Sequence, residues 1–271
     1  MRHPFSVLMS VYAKDRPAWV CRSLDSIFLN TVKPSEVVIV IDGPISVQLR
    51  GILSEFSHKY PQIKLCQLAK NGGLGPALAY GLQQCSHELV ARMDADDISL
   101  PDRFEKQLAY FNANSDVAIL GSCFQEIDAN SLKPINVHSV PQTDNKIRRC
   151  VKTQCPFQHG TVMFKKSAAI DSGNYESYPM FLDDYYLWVR ILGKGYKGAN
   201  LSDVLVSMPK NPDLTWGRAL YLFLADRNLC STMRQLKLMG SFTYYRIVIG
   251  RFIKYFLIPN CLRIRKKWIY N

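Results

Sequence analysis

The sequence lacks several features that mark common classes of protein. It contains eight cysteines but no CxxC pair and no regular spacing of metal-binding cysteines, which favours reduced thiols in the cytosol over a disulfide framework. It has no uninterrupted apolar stretch of about twenty residues, so no transmembrane helix is expected. Its first apolar segment, 5–11, is short and contains Ser6 and Ser10, so we expect no secretory signal peptide.

Acidic residues are absent from one end of the chain. The formal net charge is +12, and ten of the 34 Lys and Arg residues lie in 227–271, where there is no Asp or Glu. The other 24 basic residues are nearly balanced by 22 acidic ones. The body of the protein is therefore close to neutral, and the C-terminal segment carries the positive charge. With 271 residues, 48% of them hydrophobic, the chain is large enough for a packed core.

Apolar patterns predict alternating strands and helices in the first part of the chain. The predicted elements there are strand 5–12, helix 19–30, strand 37–41, helix 47–60, strand 63–68, helix 74–84, strand 89–93 and helix 101–112. Strands 117–127 and 159–164 and helix 182–192 are expected further on. This alternation predicts an α/β fold with an open, Rossmann-like, mostly parallel sheet flanked by helices. Ligands of such sheets bind beyond the carboxyl ends of the strands.

Three carboxylates are crowded at the predicted end of the strand 89–93. Asp94 and Asp96 project to the same side of an extended segment, and each raises the proton affinity of the other unless a cation lies between them. A hard divalent ion bound by oxygen ligands would remove this repulsion. The alternative is a polar turn in which Asp97 caps the helix after Pro101.

Six motifs occur in an order that is typical of one enzyme family. They are FSVLMSVY, VVIVIDG, KNGGLGPALAYGL, ARMDADDISLPDRFEKQ, HGTVMF and FLDDYYLWVRIL. In this order, over roughly residues 5–205, the chain resembles the family 2 glycosyltransferases, and within them the bacterial enzymes that build O-antigen, capsule or exopolysaccharide. The resemblance implies the GT-A fold and a nucleotide-sugar donor.

The resemblance assigns the nucleotide to the ends of the first two strands. Ser10, Val11 and Tyr12 would line the base pocket, where the Tyr12 ring is available for stacking. Taken alone, Tyr12 could be an ordinary aromatic residue at a strand end. Asp42 would accept a hydrogen bond from the uracil or hold the ribose, although the family usually has DDGS where this chain has IDGP.

A glycine-rich turn would bring the backbone close to the nucleotide. The resemblance matches Asn71 and Gly72, followed by Gly73 and Gly75, to the N-x-G segment of the family. Glycines permit this close approach, and the helix that follows offers unpaired N–H groups at its start. Without the order of the motifs, the segment would be no more than a turn before a helix.

The resemblance implies a cation at the DxD motif. In the segment Asp94-Ala95-Asp96, the two carboxylates would hold the Mn²⁺ or Mg²⁺ that bridges the phosphates of a UDP-sugar. His159 would complete the metal shell or touch the diphosphate, and the alternative is a packed core histidine. Arg92 would bind phosphate or pair with a nearby carboxylate. Asp97 would orient the loop or a sugar hydroxyl.

Arg103 is expected to have either a structural or a phosphate-binding role. The resemblance also implies a catalytic base at the start of helix 182–192, where Asp183 and Asp184 take the place of the family's Glu-Asp pair. We expect Asp184 to accept the proton of the acceptor hydroxyl and Asp183 to bind acceptor hydroxyls. The alternative is that both acids only stabilise the start of the helix. Trp188 is expected in the core.

Two helices, 215–237 and 242–258, are predicted outside the matched motifs. The second mixes Arg and Lys with aromatic and aliphatic residues, which suits a helix lying in the headgroup layer of an anionic membrane. The alternative is a helical hairpin packed on the catalytic domain. We expect a catalytic domain over 1–210, with a nucleotide-sugar part at about 1–115 and an acceptor part at about 116–210. A basic, amphipathic, membrane-associating helical extension would cover 211–271.

These expectations describe an inverting, metal-dependent, non-processive glycosyltransferase. It would move one hexose, glucose or galactose, from a UDP-sugar to a polyprenyl-diphosphate-linked GlcNAc or GalNAc at the inner face of the bacterial cell membrane. The QxxRW signature of processive relatives is absent, which makes a polymer synthase the weaker interpretation. A nucleotidyltransferase would need a glycine-rich loop after the first strand, and 13–16 contains no glycine. A nucleic-acid- or membrane-binding module is a further alternative, but no nucleic acid is expected as a partner.

Overall fold

The computed structural model describes residues 4–176, 182–210 and 219–253, with the side chains of 219–226 excepted. The N-terminal elements are β1 (Phe5–Tyr12), α1 (Pro17–Phe28), β2 (Glu36–Asp42), α2 (Val47–Lys59), β3 (Ile63–Gln67), α3 (Leu74–Gln84), β4 (Leu89–Arg92), β5 (Ile98–Ser99) and α4 (Arg103–Ala113). They are followed by β6 (Val117–Ile127), β7 (Pro134–His138), α5 (Asp144–Cys150), a 3-10 helix (His159–Thr161), β8 (Met163–Lys165), α6 (Lys166–Asp171), α7 (Asp183–Gly193), β9 (Lys197–Pro209), α8 (Ala219–Gln235) and α9 (Ser241–Phe252).

The strands of the described residues form one mixed sheet in the order β3-β2-β1-β4-β8-β6-β9-β5, with β7 paired to β6. The first four strands of this order, β3 to β4, are parallel, as the alternating pattern predicts. The second half is mixed, because β8 runs antiparallel to both β4 and β6 while β6 and β9 are parallel. The expected α/β sheet flanked by helices is confirmed, and the parallel arrangement holds for the half of the sheet formed by β1 to β4.

Both faces of the sheet are covered, which explains why its strands are continuous apolar runs. In β1, Val7 and Met9 point to the layer formed with α1, α2 and α4, while Leu8 points to the layer with α3 and α7. The same alternation separates Ile39 from Val38 in β2.

Local signals in the sequence set the ends of the N-terminal helices. Pro17 occupies the first turn of α1, where its missing N–H costs no hydrogen bond. Ser46 caps α2 by accepting a hydrogen bond from the Leu49 N–H at 3.2 Å. Strand β1 and helix α3 have the bounds that the sequence predicts, and the other predicted N-terminal elements differ from the prediction by one or two residues at an end. The short strand β5 was not predicted.

The expected strand 159–164 is wrong in its first half. Residues His159–Thr161 form a 3-10 helix, and the strand begins at Met163. The Thr161 hydroxyl donates to the carbonyl of Gln158 at 2.8 Å, and the Gln107 amide donates to the Thr161 carbonyl at 2.8 Å. These contacts hold the backbone in a turn, against the β-propensity of the HGTVMF segment.

The described part of the basic C-terminal segment packs on the catalytic domain. Leu229, Cys230 and Met233 of α8 are fully buried in the same core cluster as Trp188. A side chain at Gly193, the last residue of α7, would approach Leu236 to 2.9 Å. No helix of the described residues is both long and apolar enough to cross a membrane. The parts of the two predicted helices at 215–218 and 254–258 lie outside the described residues.

Candidate active site

The carboxylate of Asp42, at the end of β2, organises the glycine-rich turn. Its Oδ1 accepts the Gly72 N–H at 2.8 Å, and its Oδ2 accepts the Gly73 N–H at 3.0 Å and the Asn71 side-chain amide at 2.9 Å. A side chain at Gly43 would clash with the Asn71 backbone nitrogen at 2.5 Å, and Gly43 has a φ of +82°. Asp42 therefore fixes the N-x-G segment directly, a role that the sequence did not indicate.

The same turn connects the nucleotide side to the acceptor side. Helix α3 begins immediately after Gly73. A side chain at Gly75 would lie 2.3 Å from the Glu176 carbonyl and 3.1 Å from the Asp183 carboxyl carbon. Asp183 is thus buried at the start of α3, where the positive end of the helix favours a carboxylate. The structure brings the predicted acceptor residue Asp183 close to the predicted nucleotide segment.

The DxD turn follows β4 and contains a buried cluster of charges. Arg92 is 1% exposed and donates from Nη2 to Oδ1 of Asp94. Its Nε and Nη1 have no hydrogen-bond partner within the described residues, and the same holds for Oδ2 of Asp97. A Cβ atom at Gly160 would lie 2.0 Å from Asp97 Oδ2 and 3.2 Å from Asp94 Oδ2. The two carboxylate oxygens therefore converge above Gly160, next to an arginine with free donors.

The electrostatics of this turn suit a bound cation. Burial, followed by the charges of Asp94 and Asp96, raises the pKa of Asp97 well above its usual value. Loss of hydration and then the charge of Asp94 raise the pKa of Asp96. Burial alone would raise the pKa of Asp94, but Arg92 and its other cationic neighbours lower it. Carboxylate oxygens in this arrangement suit Mg²⁺ or Mn²⁺, which would stabilise the ionised forms.

Within the described ranges, no group of three His, Cys, Asp or Glu side chains is positioned to hold a metal ion. His159 is buried and its Nε2 lies 3.2 Å from the Tyr175 hydroxyl. Burial and then the charge of Arg92 lower the pKa of His159 to about 3. The ring is therefore neutral at physiological pH and cannot bind a diphosphate as a cation. Its place in the metal shell stays a prediction.

Asp184 lies in the first turn of α7, as the sequence predicts, and is half-buried. Burial and the charges of Asp94 and Asp183 raise the pKa of Asp184 to about 7. The position is therefore electrostatically coupled to the DxD turn across the site. A carboxylate that titrates near neutral pH can take a proton from a hydroxyl and still be ionised for much of the time.

Two other residues singled out in the sequence, Trp188 and Arg103, are fully buried and support the fold. Trp188 is fully buried against His159, Phe164 and Tyr175, which confirms its place in the core. Arg103 is fully buried and donates to the Arg92 carbonyl at 2.7 Å, so it supports β4 and does not reach the open site. Helix α4 is preceded by Asp102 at its N-cap position, so the alternative in which Asp97 caps that helix is wrong.

The three predicted residues at the end of β1, Ser10, Val11 and Tyr12, differ in their exposure. Tyr12 is 41% exposed and Ser10 is half-buried, but the Val11 side chain is fully buried in the core layer under α1 and α2. Only the backbone of Val11 could therefore meet a nucleotide, because alternate side chains of a strand point to opposite faces. Tyr12 pairs in register with Asp42, so the two lie side by side at the sheet edge.

A cleft of about 240 Å³ lies between the end of β1 and the DxD turn. It is lined by Tyr12, Lys14, Asp15, Arg16, Trp19, Ala95, Asp96, Ala129, Pro209 and Lys210. The sequence reasoning missed most of these residues. The charged run Lys14-Asp15-Arg16 directly after β1 was an available signal, whereas Pro209 and Lys210 belong to the unpredicted strand β9 and its end.

Among the cleft residues that the sequence did not indicate, Asp15 has the largest pKa shift. It accepts the Tyr12 N–H at 2.8 Å and so closes the turn after β1. Burial is the largest cause that raises its pKa to about 6, and the charges of Asp96 and Asp94 add to the rise. The cleft thus has a carboxylate wall facing the DxD turn and basic residues at its rim. Such a mixture can hold a polar ligand that carries phosphates.

Comparison with known proteins places this architecture in a known class. The solved structure of S. aureus TarS 1-349 in complex with UDP-GlcNAc superposes with a TM-score of 0.69 and 18% identity, covering 92% of this chain and 72% of that one. At this identity the likeness establishes the fold alone. The fold is that of the GT-A glycosyltransferases.

The family is established by sequence. The family model described as "Glycosyl transferase family 2" matches residues 6–171, and the chain belongs to that family. The amylovoran biosynthesis glycosyltransferase AmsE of Erwinia amylovora is 37% identical over 210 residues, which are 78% of this chain and 77% of AmsE. The UDP-Gal:alpha-D-GlcNAc-diphosphoundecaprenol beta-1,3-galactosyltransferase of Escherichia coli is 41% identical over 204 residues, or 75% of this chain and 73% of that enzyme. The protein is a glycosyltransferase, as the motif order predicts.

Proposed function

We propose that the protein transfers one hexose from a UDP-sugar to a polyprenyl-diphosphate-linked GlcNAc or GalNAc, in the assembly of a bacterial surface polysaccharide such as O-antigen. The transfer would be metal-dependent, non-processive and inverting. The observation that carries the proposal is geometric: carboxylate oxygens of Asp94 and Asp97 converge near Gly160 beside Arg92, and Asp183 reaches the start of α3. The raised pKa of Asp184 supports it. The similarity to the Escherichia coli galactosyltransferase supports galactose as the hexose and a lipid diphosphate as the carrier of the acceptor.

The donor would lie along the carboxyl ends of β1, β2 and β4. Tyr12 is exposed there and available to stack on the base, while the turn fixed by Asp42 presents Asn71 and Gly72. Arg92 keeps two donor nitrogens unpaired among the described residues and could bind a phosphate oxygen with them. Asp94 and Asp96 would hold the divalent cation, with Asp97 beside them. When bound, that cation would offset the negative charge that builds on the departing diphosphate.

Asp184 would act on the acceptor. An acceptor hydroxyl oxygen would bond to the anomeric carbon on the face opposite to the leaving group, as the bond from that carbon to the diphosphate breaks. Asp184 would take the hydroxyl proton, and UDP would leave with the electron pair of the broken bond. Asp183, fixed at the start of α3, would position acceptor hydroxyls. The acceptor is carried by a lipid, so the reaction would occur at the inner face of the cell membrane.

A panel of UDP-sugars tests this function. The protein is incubated with UDP-galactose, UDP-glucose and UDP-GlcNAc, each with Mn²⁺ or Mg²⁺ and a synthetic GlcNAc-diphosphate-lipid, and the linkage of any product is determined. One UDP-hexose is expected to give one β-linked sugar per acceptor, because a single displacement inverts an α-linked donor. An α-linked product, a polymer, or UDP-sugar turnover that persists in the Asp96→Ala variant would contradict the proposal.

The alternative of a binding module with inert carboxylates is disfavoured, because the chain belongs to a family of glycosyltransferases.

A further inference from the structure

Helix α9 is held on the catalytic domain by one of its faces. Tyr244, Ile247 and Val248 are partly buried and pack against the core cluster that contains Trp188. Arg251 extends this face, donating from Nη2 to the Thr153 carbonyl at 2.9 Å and from Nη1 to Cys230 Sγ at 3.5 Å. The helix is therefore fixed to the domain and does not depend on a further partner for its position.

A second face of α9 is apolar and exposed. Phe242 is 82% exposed, Tyr245 56% and Ile249 57%. Their spacing of three and four residues places them on one side of the helix. We call these three residues the outer face. Single exposed apolar residues are ordinary, but three on one helix face form a patch of the kind that marks an interaction site.

The charge around this face indicates what it contacts. Arg246 is exposed next to Tyr245, and the described residues 227–253 contain five Lys and Arg and no acidic residue. A protein partner would commonly offer both charge signs, whereas an anionic bilayer offers negative headgroups above an apolar interior. Aromatic and aliphatic residues flanked by bases match this surface.

We infer that the outer face of α9 lies in the headgroup layer of an anionic lipid bilayer while the inner face stays packed on the catalytic domain. The sequence presents membrane contact and packing on the domain as alternatives for the C-terminal segment. In this inference both occur, each on a different face of the same helix. The inference deepens the proposed function, because a bilayer is where a lipid-linked acceptor would be found.

The contacts of α9 also connect the membrane-facing helix to the proposed acceptor site. Arg251 holds the Thr153 carbonyl, and the Tyr185 hydroxyl donates to the Val151 carbonyl at 2.6 Å. Tyr185 follows Asp184 in the first turn of α7. The segment 151–153 is thus clamped between the membrane-facing helix and the helix that begins with the proposed base. Docking of α9 therefore fixes the height of Asp184 above the bilayer.

The test is flotation of the full chain with vesicles of neutral phosphatidylcholine alone or mixed with anionic phosphatidylglycerol. Wild-type protein is expected to float with the mixed vesicles, and the Phe242→Ser/Ile249→Ser variant to bind them at least about tenfold more weakly. The control is Leu29→Ser/Val137→Ser, which removes two exposed apolar side chains that lie outside α9. It is expected to bind like the wild type. Arg246→Glu is expected to weaken binding most at low salt.

Several results would overturn the inference. Equal flotation of both double variants would do so, as would equal binding of the wild type to neutral and mixed vesicles. A change from dimer to monomer in the Phe242→Ser/Ile249→Ser variant would show that a second copy covers the face. A lower unfolding temperature in that variant alone would show that the chain's own residues cover it, and RNA binding lost with the face would assign it to nucleic acid.

The outcomes separate this inference from the proposed function. Selective binding to anionic vesicles without sugar transfer would leave the membrane face standing and contradict the transferase activity proposed above. Transfer to a water-soluble GlcNAc-diphosphate acceptor without selective vesicle binding would do the reverse. If both hold, the Phe242→Ser/Ile249→Ser variant should lose activity only towards an acceptor embedded in vesicles.

Discussion

At the scale of single residues, the site is defined by carboxylates held in unequal environments. Asp94 is paired with Arg92 and has a lowered pKa, while the half-buried Asp184 has a pKa of about 7. In the proposed mechanism, Asp94 stays ionised for electrostatic work and Asp184 exchanges a proton near neutral pH. This division of carboxylates by environment is how one site supports both roles.

The raised pKa of Asp184 predicts a pH profile. A base acts only when deprotonated, so kcat/KM should rise through about pH 7 and fall about tenfold per pH unit below it. The same pKa shift also affects folding stability, in the opposite direction. The folded state binds the Asp184 proton more tightly than the unfolded state, so this contribution to the free energy of unfolding is fully present below the ordinary carboxyl pKa. It is lost as the pH rises through about 7. Initial rates with a soluble acceptor between pH 5 and 9 check the profile. A midpoint near pH 4 would mean that the burial of Asp184 does not raise its pKa.

The close approach of Gly160 to Asp97 leads to a second prediction, about stability and Mn²⁺ binding. In Gly160→Ala, the new methyl group would lie 2.0 Å from Asp97 Oδ2, so the carboxylate must move. We expect a loss of roughly 1–3 kcal/mol in the free energy of unfolding and weaker Mn²⁺ binding. Denaturant unfolding and calorimetric Mn²⁺ titration measure the two. The control is Gly51→Ala in α2, where a side chain meets no atom within 4 Å; similar losses in both variants would contradict the close approach.

At the scale of elements, the sequence predicts the N-terminal half of the fold well and the second half less well. Strands β1, β2 and β4 are almost fully buried and are joined through amphipathic helices, so the local pattern is enough to locate them. Strand β9 is thirteen residues long and pairs with β6, but its KGANLSDVLVSMP sequence has no sustained alternation. Its strand conformation comes from pairing with a distant segment, which no local pattern contains.

The candidate site divides in the same way. The motif order predicts Asp94, Asp96 and Asp184 as site residues, because each lies just after the end or near the start of a recognisable element. It did not reveal that Asp42 binds the 71–73 turn, since that contact joins residues about thirty positions apart. It also missed Asp15 and Tyr175, whose neighbours come from other parts of the chain.

The hydrogen bonds from the 71–73 turn to Asp42 lead to a prediction about UDP affinity. In Asp42→Asn, one acceptor oxygen is replaced by an NH₂ group that faces backbone N–H donors. Hydrogen bonds to a charged acceptor contribute about 1.5–3 kcal/mol each, so UDP affinity should fall at least about tenfold as the turn loosens. Calorimetric titration with UDP measures this. Glu55→Gln, an exposed acid-to-amide change on α2, is the control; unchanged UDP affinity in Asp42→Asn would exclude the organising role.

At the scale of the whole molecule, the C-terminal helices complete the catalytic domain. Met233 of α8 is fully buried in the cluster that includes Trp188 and the inner side of α7. The helix that begins with Asp183 and Asp184 is therefore covered by a segment beyond the family's matched region, 6–171. Stability of the acceptor side should depend on α8.

Met233→Ala tests this dependence. Removing a fully buried Met side chain should lower the free energy of unfolding by about 2–5 kcal/mol, because a cavity is left in a packed core. Chemical denaturation of the full chain measures the loss. Gln235→Ala, an exposed position two residues further along the same helix, should be nearly neutral. A loss below about 0.5 kcal/mol for Met233→Ala would mean that α8 does not share the core.

The most direct test of the whole account is the transfer rate from UDP-galactose to a soluble GlcNAc-diphosphate acceptor, measured with Mn²⁺ for the wild type and Asp184→Asn. The account predicts transfer by the wild type and a fall in kcat of about 10²–10⁴-fold in the variant, with UDP affinity unchanged. A variant that transfers galactose at the wild-type rate would contradict Asp184 as the base. Absence of transfer by the wild type from any UDP-hexose would contradict the proposed function itself.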